Sequence, residues 1–260
     1  MITSCFILSF FPLWVNYILV VILIVLAIQS GISFAKWRKK AGANDDDSSI
    51  NTLVGATLGL LAFILAFTFS LSSSRFEARK GFLLEEVNSI ETSWLRAGLV
   101  KSPYSELLRK ELEEYTAIRV FLVKNPSEVE SVLKKSEEIQ STIWELVTTL
   151  AQSNNNQEIN RLLIEAINDM FDFQTKRVSK GLVDKIPALI WWALFLLIII
   201  AMFEVGYLLG KGESSNWTLV LALSMAFSAV IIIIVDLDSV TGFITINNQV
   251  LFDMYERIKS

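Results

Sequence analysis

Residues 52–80, TLVGATLGLLAFILAFTFSLSSSRFEARK, carry no charge until Arg75. The charge-free stretch begins before this segment and extends over residues 50–74. A helix needs about 20 mostly apolar residues to cross the hydrocarbon core of a bilayer. We therefore predict that residues 50–74 form a membrane-spanning helix.

Three further segments, 13–34, 187–209 and 217–235, are similarly long and apolar, and Glu204 is the one charged residue within them. Tryptophans stand near their ends, where indole rings settle at the membrane interface: Trp14, Trp191, Trp192 and Trp217. The composition agrees, because 53% of the residues are hydrophobic and only 19% are charged, whereas a globular domain carries about a quarter charged residues. The sequence predicts an integral membrane protein with four spans, which contacts the lipid bilayer as a partner.

The spans divide the chain into four parts. Residues 1–72 hold spans one and two, 73–185 form an insert, 186–236 hold spans three and four, and 237–260 form a C-terminal tail. Leu83, Val87, Ile90 and Trp94 recur at helical spacing in the insert, and Glu85, Glu86, Asn88 and Glu91 are assigned to the opposite face. Only Gly81 interrupts the path from span two, which predicts one continuous helix.

Turn signals divide the rest of the insert into further amphipathic helices. Ser102 and Ser127 are the predicted N-caps of two of them, and the run from Asn154 to Asn156 is the predicted loop before another. The predicted fold class is all-α, with four transmembrane helices and a helical soluble insert between spans two and three.

Several functional classes are excluded by composition. There is no histidine, and Cys5 is the single cysteine, so imidazole sites, His-based triads and internal disulfides are ruled out. The net charge of −4 offers no basic field for nucleic acid. No phosphate loop, nucleophile elbow or EF-hand is present. We expect no enzymatic activity, no cofactor and no metal.

Span two has an unusual distribution of side chains for a lone membrane anchor. Gly55, Gly59, Ala62 and Ala66 form a strip of small residues, which permits close approach of another helix. Phe63, Phe67, Ser70 and Ser74 lie on one face that passes from aromatic to hydroxyl. Such a face is typical of a pore with an apolar constriction, and it also occurs on a tightly packed helix interface, which spacing alone favours. Both interpretations stay open at this point.

Two segments resemble a known family. Residues 59–96 contain the cluster Arg75-Phe76-Glu77-Ala78-Arg79 and the run Glu86-Val-Asn-Ser-Ile90, and residues 236–244 read DLDSVTGFI, with Asp236, Asp238 and Gly242. Both segments resemble the bestrophin-like family of integral membrane proteins of unknown function, and more distantly the bacterial bestrophins.

This resemblance implies a function. Bestrophins are pentameric anion channels whose second span lines the pore through three large apolar residues one turn apart. Those positions correspond to Gly59, Phe63 and Phe67, where Gly59 departs from the pattern. The narrowest gate then lies at Phe63 and Phe67, or a proper neck is absent. Ser239 and Val240 also replace the Arg-Pro that the family commonly has.

The resemblance further implies a homo-oligomer, a pentamer by analogy, with small anions as partners, in a bacterial cytoplasmic (inner) membrane. The side on which the insert lies is open. Basic residues in the first loop favour placing the insert outside, and basic residues that flank the insert oppose this.

Two functional hypotheses follow. One is an oligomeric ion channel whose pore is lined by span two and which, as the resemblance implies, conducts anions. The other is a non-conducting sensor or scaffold, in which the coiled-coil-like seam of the insert mediates self-association.

Three groups of charged residues have alternative roles. Glu204 lies inside span three and is either a pore-vestibule or proton-linked acid, or an acid that reaches the headgroups. The second group is Arg75, Glu77 and Arg79. These residues either pair between neighbouring subunits, or Arg79 faces the lipid headgroups. For Asp236 and Asp238, capping is favoured over an ion site, because a hard cation needs six or more oxygen ligands.

Overall fold

The computed structural model describes residues 12–42, 47–153, 156–212, 217–240 and 242–259. Cys5 and two residues of the predicted asparagine loop, Asn154 and Asn155, lie outside these ranges. The described residues contain helices and no strand, so the all-α prediction is confirmed. The α-helices are α1 Leu13–Lys40, α2 Asp47–Ala97, α3 Tyr104–Lys124, α4 Val129–Gln152, α5 Gln157–Val178, α6 Ala188–Lys211, α7 Trp217–Asp238 and α8 Gln249–Lys259.

Four of these helices are long and apolar enough to cross a membrane. They are α1, α2, α6 and α7, and each corresponds to one of the predicted spans, with α6 beginning one residue later than predicted. Hydrocarbon offers no hydrogen-bond partners, so a spanning backbone has to satisfy its own groups within a helix. The chain is an integral membrane protein.

The chain forms two compact units. The membrane unit comprises residues 1–77 and 183–245, and the insert unit comprises residues 78–182 and 246–260. As predicted, α2 is one continuous helix, and it contributes residues to both units. The C-terminal part of the chain is divided between them, so that α8 belongs to the insert unit.

Within the membrane unit, α1 and α6 pack with their backbones in contact. A Cβ atom on Gly206 would lie 2.0 Å from the Ile28 carbonyl oxygen, and one on Gly31 would lie 2.0 Å from the Phe203 carbonyl oxygen. Gly210 faces Ile32 and Ala35 in the same way. Small residues at a four-residue interval allow this approach. Since residue numbers rise together along both helices, α1 and α6 are parallel.

The insert unit is a helical assembly around an apolar core. Fully buried side chains come from each of α2 to α5 and from α8, among them Ile90, Leu108, Tyr115, Ile143, Leu163, Ile167 and Met254. This is the expected result of amphipathic helices that bury their apolar faces against one another.

Two helix starts in this unit differ from the sequence prediction. Pro103 occupies the N-cap position of α3, so Ser102 does not cap it. Pro126 opens a short 3-10 turn, Pro126–Glu128, which places Ser127 inside the turn and not at the cap of α4.

We expect the Gly206→Ala substitution to destabilise the protein. Its new methyl group would overlap the Ile28 backbone, and overpacking of a tight interior typically costs about 1–3 kcal/mol. Thermal unfolding of the detergent-solubilised protein, followed by circular dichroism, measures the effect. Gly81→Ala is the matched control, because Gly81 also lies inside a helix and a Cβ there meets no atom within 4 Å. Equal melting temperatures for both variants would contradict the close packing of α1 and α6.

Candidate functional site

The part of α2 in the membrane unit has two different sides. One side packs inside the unit through buried residues at helical spacing: Val54, Leu61, Leu65, Thr68 and Ser72. On the opposite side all five candidate pore residues are exposed: Gly59, Phe63, Phe67, Ser70 and Ser74. Phe63 is 67% exposed and Phe67 is 50% exposed. The structure therefore brings the five candidates together on a surface that the chain itself leaves uncovered.

The hydroxyl groups near the end of this span are divided between the two sides. The Thr68 hydroxyl donates to the Ile64 carbonyl oxygen at 2.7 Å, and the Ser72 hydroxyl donates to the Ile234 carbonyl oxygen of α7 at 3.1 Å. Both groups are used in packing within the chain. Ser70 and Ser74 remain the hydroxyl-bearing residues on the exposed side.

Asp236, at the end of α7, organises the following turn. Its carboxylate accepts the backbone N–H of Phe243 at 2.7 Å and that of Ile244 at 2.8 Å. Gly242 is required by this turn, since a Cβ atom there would lie 1.9 Å from Asp236 Oδ1. These hydrogen bonds give Asp236 a capping role, which the sequence favoured over an ion site.

Asp238 joins α7 to two other parts of the membrane unit. Its Oδ1 lies 3.1 Å from Arg75 Nε of α2, and its Oδ2 accepts the backbone N–H of Ile186 at 3.4 Å, just before α6. Both side chains of the ion pair are mostly buried. Arg75 therefore has a partner within its own chain.

The other members of the arginine cluster are placed differently from one another. Arg79 is only 5% exposed, which does not fit the suggestion that it faces lipid headgroups. Phe76 is half-buried and Glu77 is exposed.

A buried charged cluster in the insert unit was missed by the sequence interpretation, which assigned Glu86 to the polar face. Glu86 is fully buried. Arg119 Nε lies 2.9 Å from its Oε1, and Arg177 Nη1 lies 2.6 Å from its Oε2. The Tyr115 hydroxyl lies 3.3 Å from Oε1 and donates to Gln174 Oε1 at 2.7 Å. This cluster, which we call the Glu86 cluster, connects α2, α3 and α5.

The electrostatics of this cluster favour one set of protonation states. Burial by itself would raise the pKa of the Glu86 carboxyl, but the charges and hydrogen bonds of Arg119 and Arg177 outweigh it and hold the pKa below its usual range. Burial, reinforced by the Glu86 charge, raises the pKa of the Tyr115 hydroxyl. Burial would lower the pKa of Arg119, and Glu86 reverses this and raises it. The cluster holds a carboxylate between two guanidinium groups beside a neutral phenol.

The burial of Glu86 had a signal in the spacing. Glu86 stands three residues after Leu83 and four before Ile90, and both of these are buried. The stripe that faces the core thus includes a carboxylate, which an apolar-only pattern passes over.

Glu204 lies in α6 and is partly buried. Its Oε2 atom is buried, and among the described residues it has no hydrogen-bond partner. It lines a cavity of about 540 Å³ together with Arg38 and Tyr207. Glu204 is not on the α2 surface that carries the candidate pore residues.

No protein-family model matches the chain. No curated protein matches it either. Solved structures do match. Two mutant forms of a bacterial bestrophin homologue from Klebsiella pneumoniae align with TM-scores of 0.67 and 0.68, both at 14% identity. These alignments cover 95% and 94% of this chain, and 99% and 96% of the respective solved chains. The structure of the same homologue solved by zinc phasing aligns at a TM-score of 0.64 and 13% identity, over 94% of this chain and 95% of that one.

The chain has the bestrophin fold. The likeness extends over almost the whole length of both chains, so it includes the membrane helices and the insert. At this level of identity it establishes the architecture alone. The predicted resemblance to bacterial bestrophins is confirmed to that extent.

We expect Glu86→Gln to destabilise the bestrophin fold by about 3–5 kcal/mol at neutral pH, because it leaves the buried guanidinium group of Arg119 and the partly buried one of Arg177 without their carboxylate. The folded-state pKa of Glu86 lies below that of an ordinary glutamate carboxyl. The stabilisation from its ion pairs is therefore complete above the ordinary glutamate pKa and is lost as the pH falls through the folded-state pKa. The variant should lose this acid-dependent component.

Chemical unfolding at pH 7 and under acidic conditions measures both effects. Glu85→Gln is the control, because the neighbouring Glu85 is exposed and its substitution should change stability by less than about 0.5 kcal/mol. If Glu86→Gln and Glu85→Gln unfold alike at both pH values, the Glu86 cluster does not stabilise the fold as described.

Proposed function

We propose that the protein is an oligomeric ion channel that conducts small anions through a pore lined by α2. The observation that carries this proposal is the uncovered side of α2 in the membrane unit. Gly59, Phe63, Phe67, Ser70 and Ser74 share this side. The bestrophin fold supports the same proposal, since the sequence resemblance implies a pore lined by this span.

Oligomerisation is part of the proposal, because one α2 helix cannot enclose a passage. Several copies arranged about an axis would turn their uncovered sides towards one another. The small residues are suited to this arrangement: a Cβ atom on Gly55 or Gly59 meets no other atom within 4 Å in a single chain. By analogy with the family, we propose a pentamer.

The chemistry of the α2 surface suits an anion in two ways. Aromatic rings carry a positive edge, and the rings of Phe63 and Phe67 would form an apolar neck that controls water entry. The Ser70 and Ser74 hydroxyls can donate hydrogen bonds to an anion and replace part of its hydration. Residues 48–74 contain no Lys or Arg, so selectivity in this proposal rests on these dipoles and not on fixed charge.

We place the channel in a bacterial cytoplasmic membrane, as the resemblance implies, and assign it no enzymatic role. The competing hypothesis is a non-conducting sensor or scaffold that associates through its insert. A measurement of ion flux through the purified protein separates these two functions.

We expect the purified protein in planar bilayers to pass chloride current, and Phe67→Ala to increase the single-channel conductance severalfold. Removal of the ring would widen the neck and reduce its dewetting. Phe69→Ala is the matched control. Phe69 is 43% exposed and lies two residues further along α2, about 200° around the helix, so its substitution should leave the conductance unchanged.

Chemical crosslinking of the same samples should show a closed ring of more than two subunits. Absence of current from both the wild type and Phe67→Ala, together with dimers on crosslinking, would favour the scaffold and overturn the channel. Equal effects of Phe67→Ala and Phe69→Ala would show that the pore is not lined by this side of α2.

A further inference from the structure

A cavity of about 540 Å³ lies within the membrane unit, between α1, the first turns of α2, and α6. We call it the α1–α6 pocket. Its volume falls in the range of about 300–1,000 Å³ that is usual for small-molecule sites. Its lining includes Phe34, Arg38, Leu53, Phe203, Glu204 and Tyr207.

The pocket lies at one end of the membrane helices. Because α1 and α6 are parallel, their C-terminal ends are neighbours, and both contribute to the pocket. The last turn of α1 carries Arg38, Lys39 and Lys40. Basic side chains at the end of a spanning helix extend to the level of the lipid headgroups. The pocket therefore reaches from the apolar part of the helices towards the headgroup region.

Glu204 gives the pocket an unsatisfied acceptor. Its Oε2 atom is buried and has no hydrogen-bond partner among the described residues. A carboxylate at this depth is unfavourable unless it contacts a positive or donating group. A ligand that carries an ammonium group would provide both the charge and the hydrogen bond.

The aromatic side chains of the pocket favour the same kind of group. The Phe34 ring centre lies 5.7 Å from that of Phe203 and 5.9 Å from that of Tyr207. Ring faces attract cations, and the attraction is stronger where water is excluded. Arg38 lines the same pocket, and a guanidinium group is suited to binding phosphate. An ammonium joined to a phosphate complements both charges.

The apolar walls indicate that this ligand is a lipid and not a free amine. Leu53 is 60% exposed, Ile199 is 41% exposed and Ile200 is 42% exposed, and all three line the pocket. They belong to membrane-spanning helices, and together they offer an apolar surface on which acyl chains can lie.

We propose that the α1–α6 pocket binds a phospholipid with a primary-amine headgroup. The ammonium contacts Glu204 and the aromatic rings, the phosphate contacts Arg38, and the acyl chains lie along Leu53 and the Ile199–Ile200 face. This site is separate from the candidate pore surface of α2.

Native mass spectrometry of the detergent-purified protein tests the site. The protein is mixed with equal amounts of phosphatidylethanolamine, phosphatidylcholine and phosphatidylglycerol that share the same acyl chains. We expect phosphatidylethanolamine to be retained most strongly, because only its headgroup presents an N–H donor cation to Glu204. Glu204→Gln should abolish this preference. We expect the affinity for phosphatidylethanolamine to fall roughly tenfold, which corresponds to about 1.4 kcal/mol of binding free energy. Leu53→Trp should reduce retention of all three lipids by filling the pocket.

Two matched controls accompany these variants. Glu85→Gln removes an exposed carboxylate outside the pocket, and Leu26→Trp adds the same bulk at a 62% exposed position of α1; neither should alter lipid retention. Equal retention of the three lipids by the wild type overturns the proposal, as does an unchanged preference in Glu204→Gln. It is also overturned if no lipid is retained and Leu53→Trp disrupts the oligomer, because a second copy then fills the pocket. The readout counts bound lipid and does not depend on ion conduction.

Discussion

A backbone in hydrocarbon has to satisfy its own hydrogen bonds, and in this protein α2 meets that requirement without a break from Asp47 to Ala97. The same helix must present different side chains to different surroundings along its length. In the membrane unit its packed side is apolar with two inward hydroxyls, Thr68 and Ser72. In the insert unit its packed side carries the Glu86 carboxylate. In each unit, the other helices pack against the side chains that α2 buries there.

The motifs that carry the family resemblance have structural roles within the single chain. Asp236 and Gly242 form the turn after α7, and Asp238 pairs with Arg75 of α2. Glu86, the first residue of the run Glu86–Ile90, lies at the centre of the Glu86 cluster. By contrast, the proposed pore surface consists of Gly, Phe and Ser at ordinary helical spacing. The short motifs therefore identify the fold. The proposed function, in contrast, rests on a surface without charged residues, which has no comparable sequence motif.

The sequence predicted the class of fold because its strongest signals are local. Long gaps between charged residues predicted the four spans, and the absence of any Pro or Gly other than Gly81 between span two and the first helix of the insert predicted the continuous α2. Contacts between segments that are distant in the sequence were harder to predict. The spacing of Gly206 and Gly210 permits a close helix contact, but it does not identify the partner helix, which in the structure is α1 with Gly31 at the contact. Glu86 was placed on the wrong face because its burial depends on Arg119 and Arg177, which are remote in sequence. For the same reason the alternatives for Arg75 could not be separated without the position of Asp238.

The place of α8 has a consequence for biosynthesis. Leu251, Met254 and Ile258 of this helix are buried in the core of the insert unit, and Arg257 pairs with Glu91 of α2 at 3.0 Å. The ribosome makes α2 to α5 first, then α6 and α7, and only afterwards α8. While the translocon integrates α6 and α7, the apolar surface of the insert helices that α8 will later cover consequently remains exposed. Completion of this core is a late event, which ties the maturation of the water-exposed part to the successful insertion of the membrane helices that precede α8.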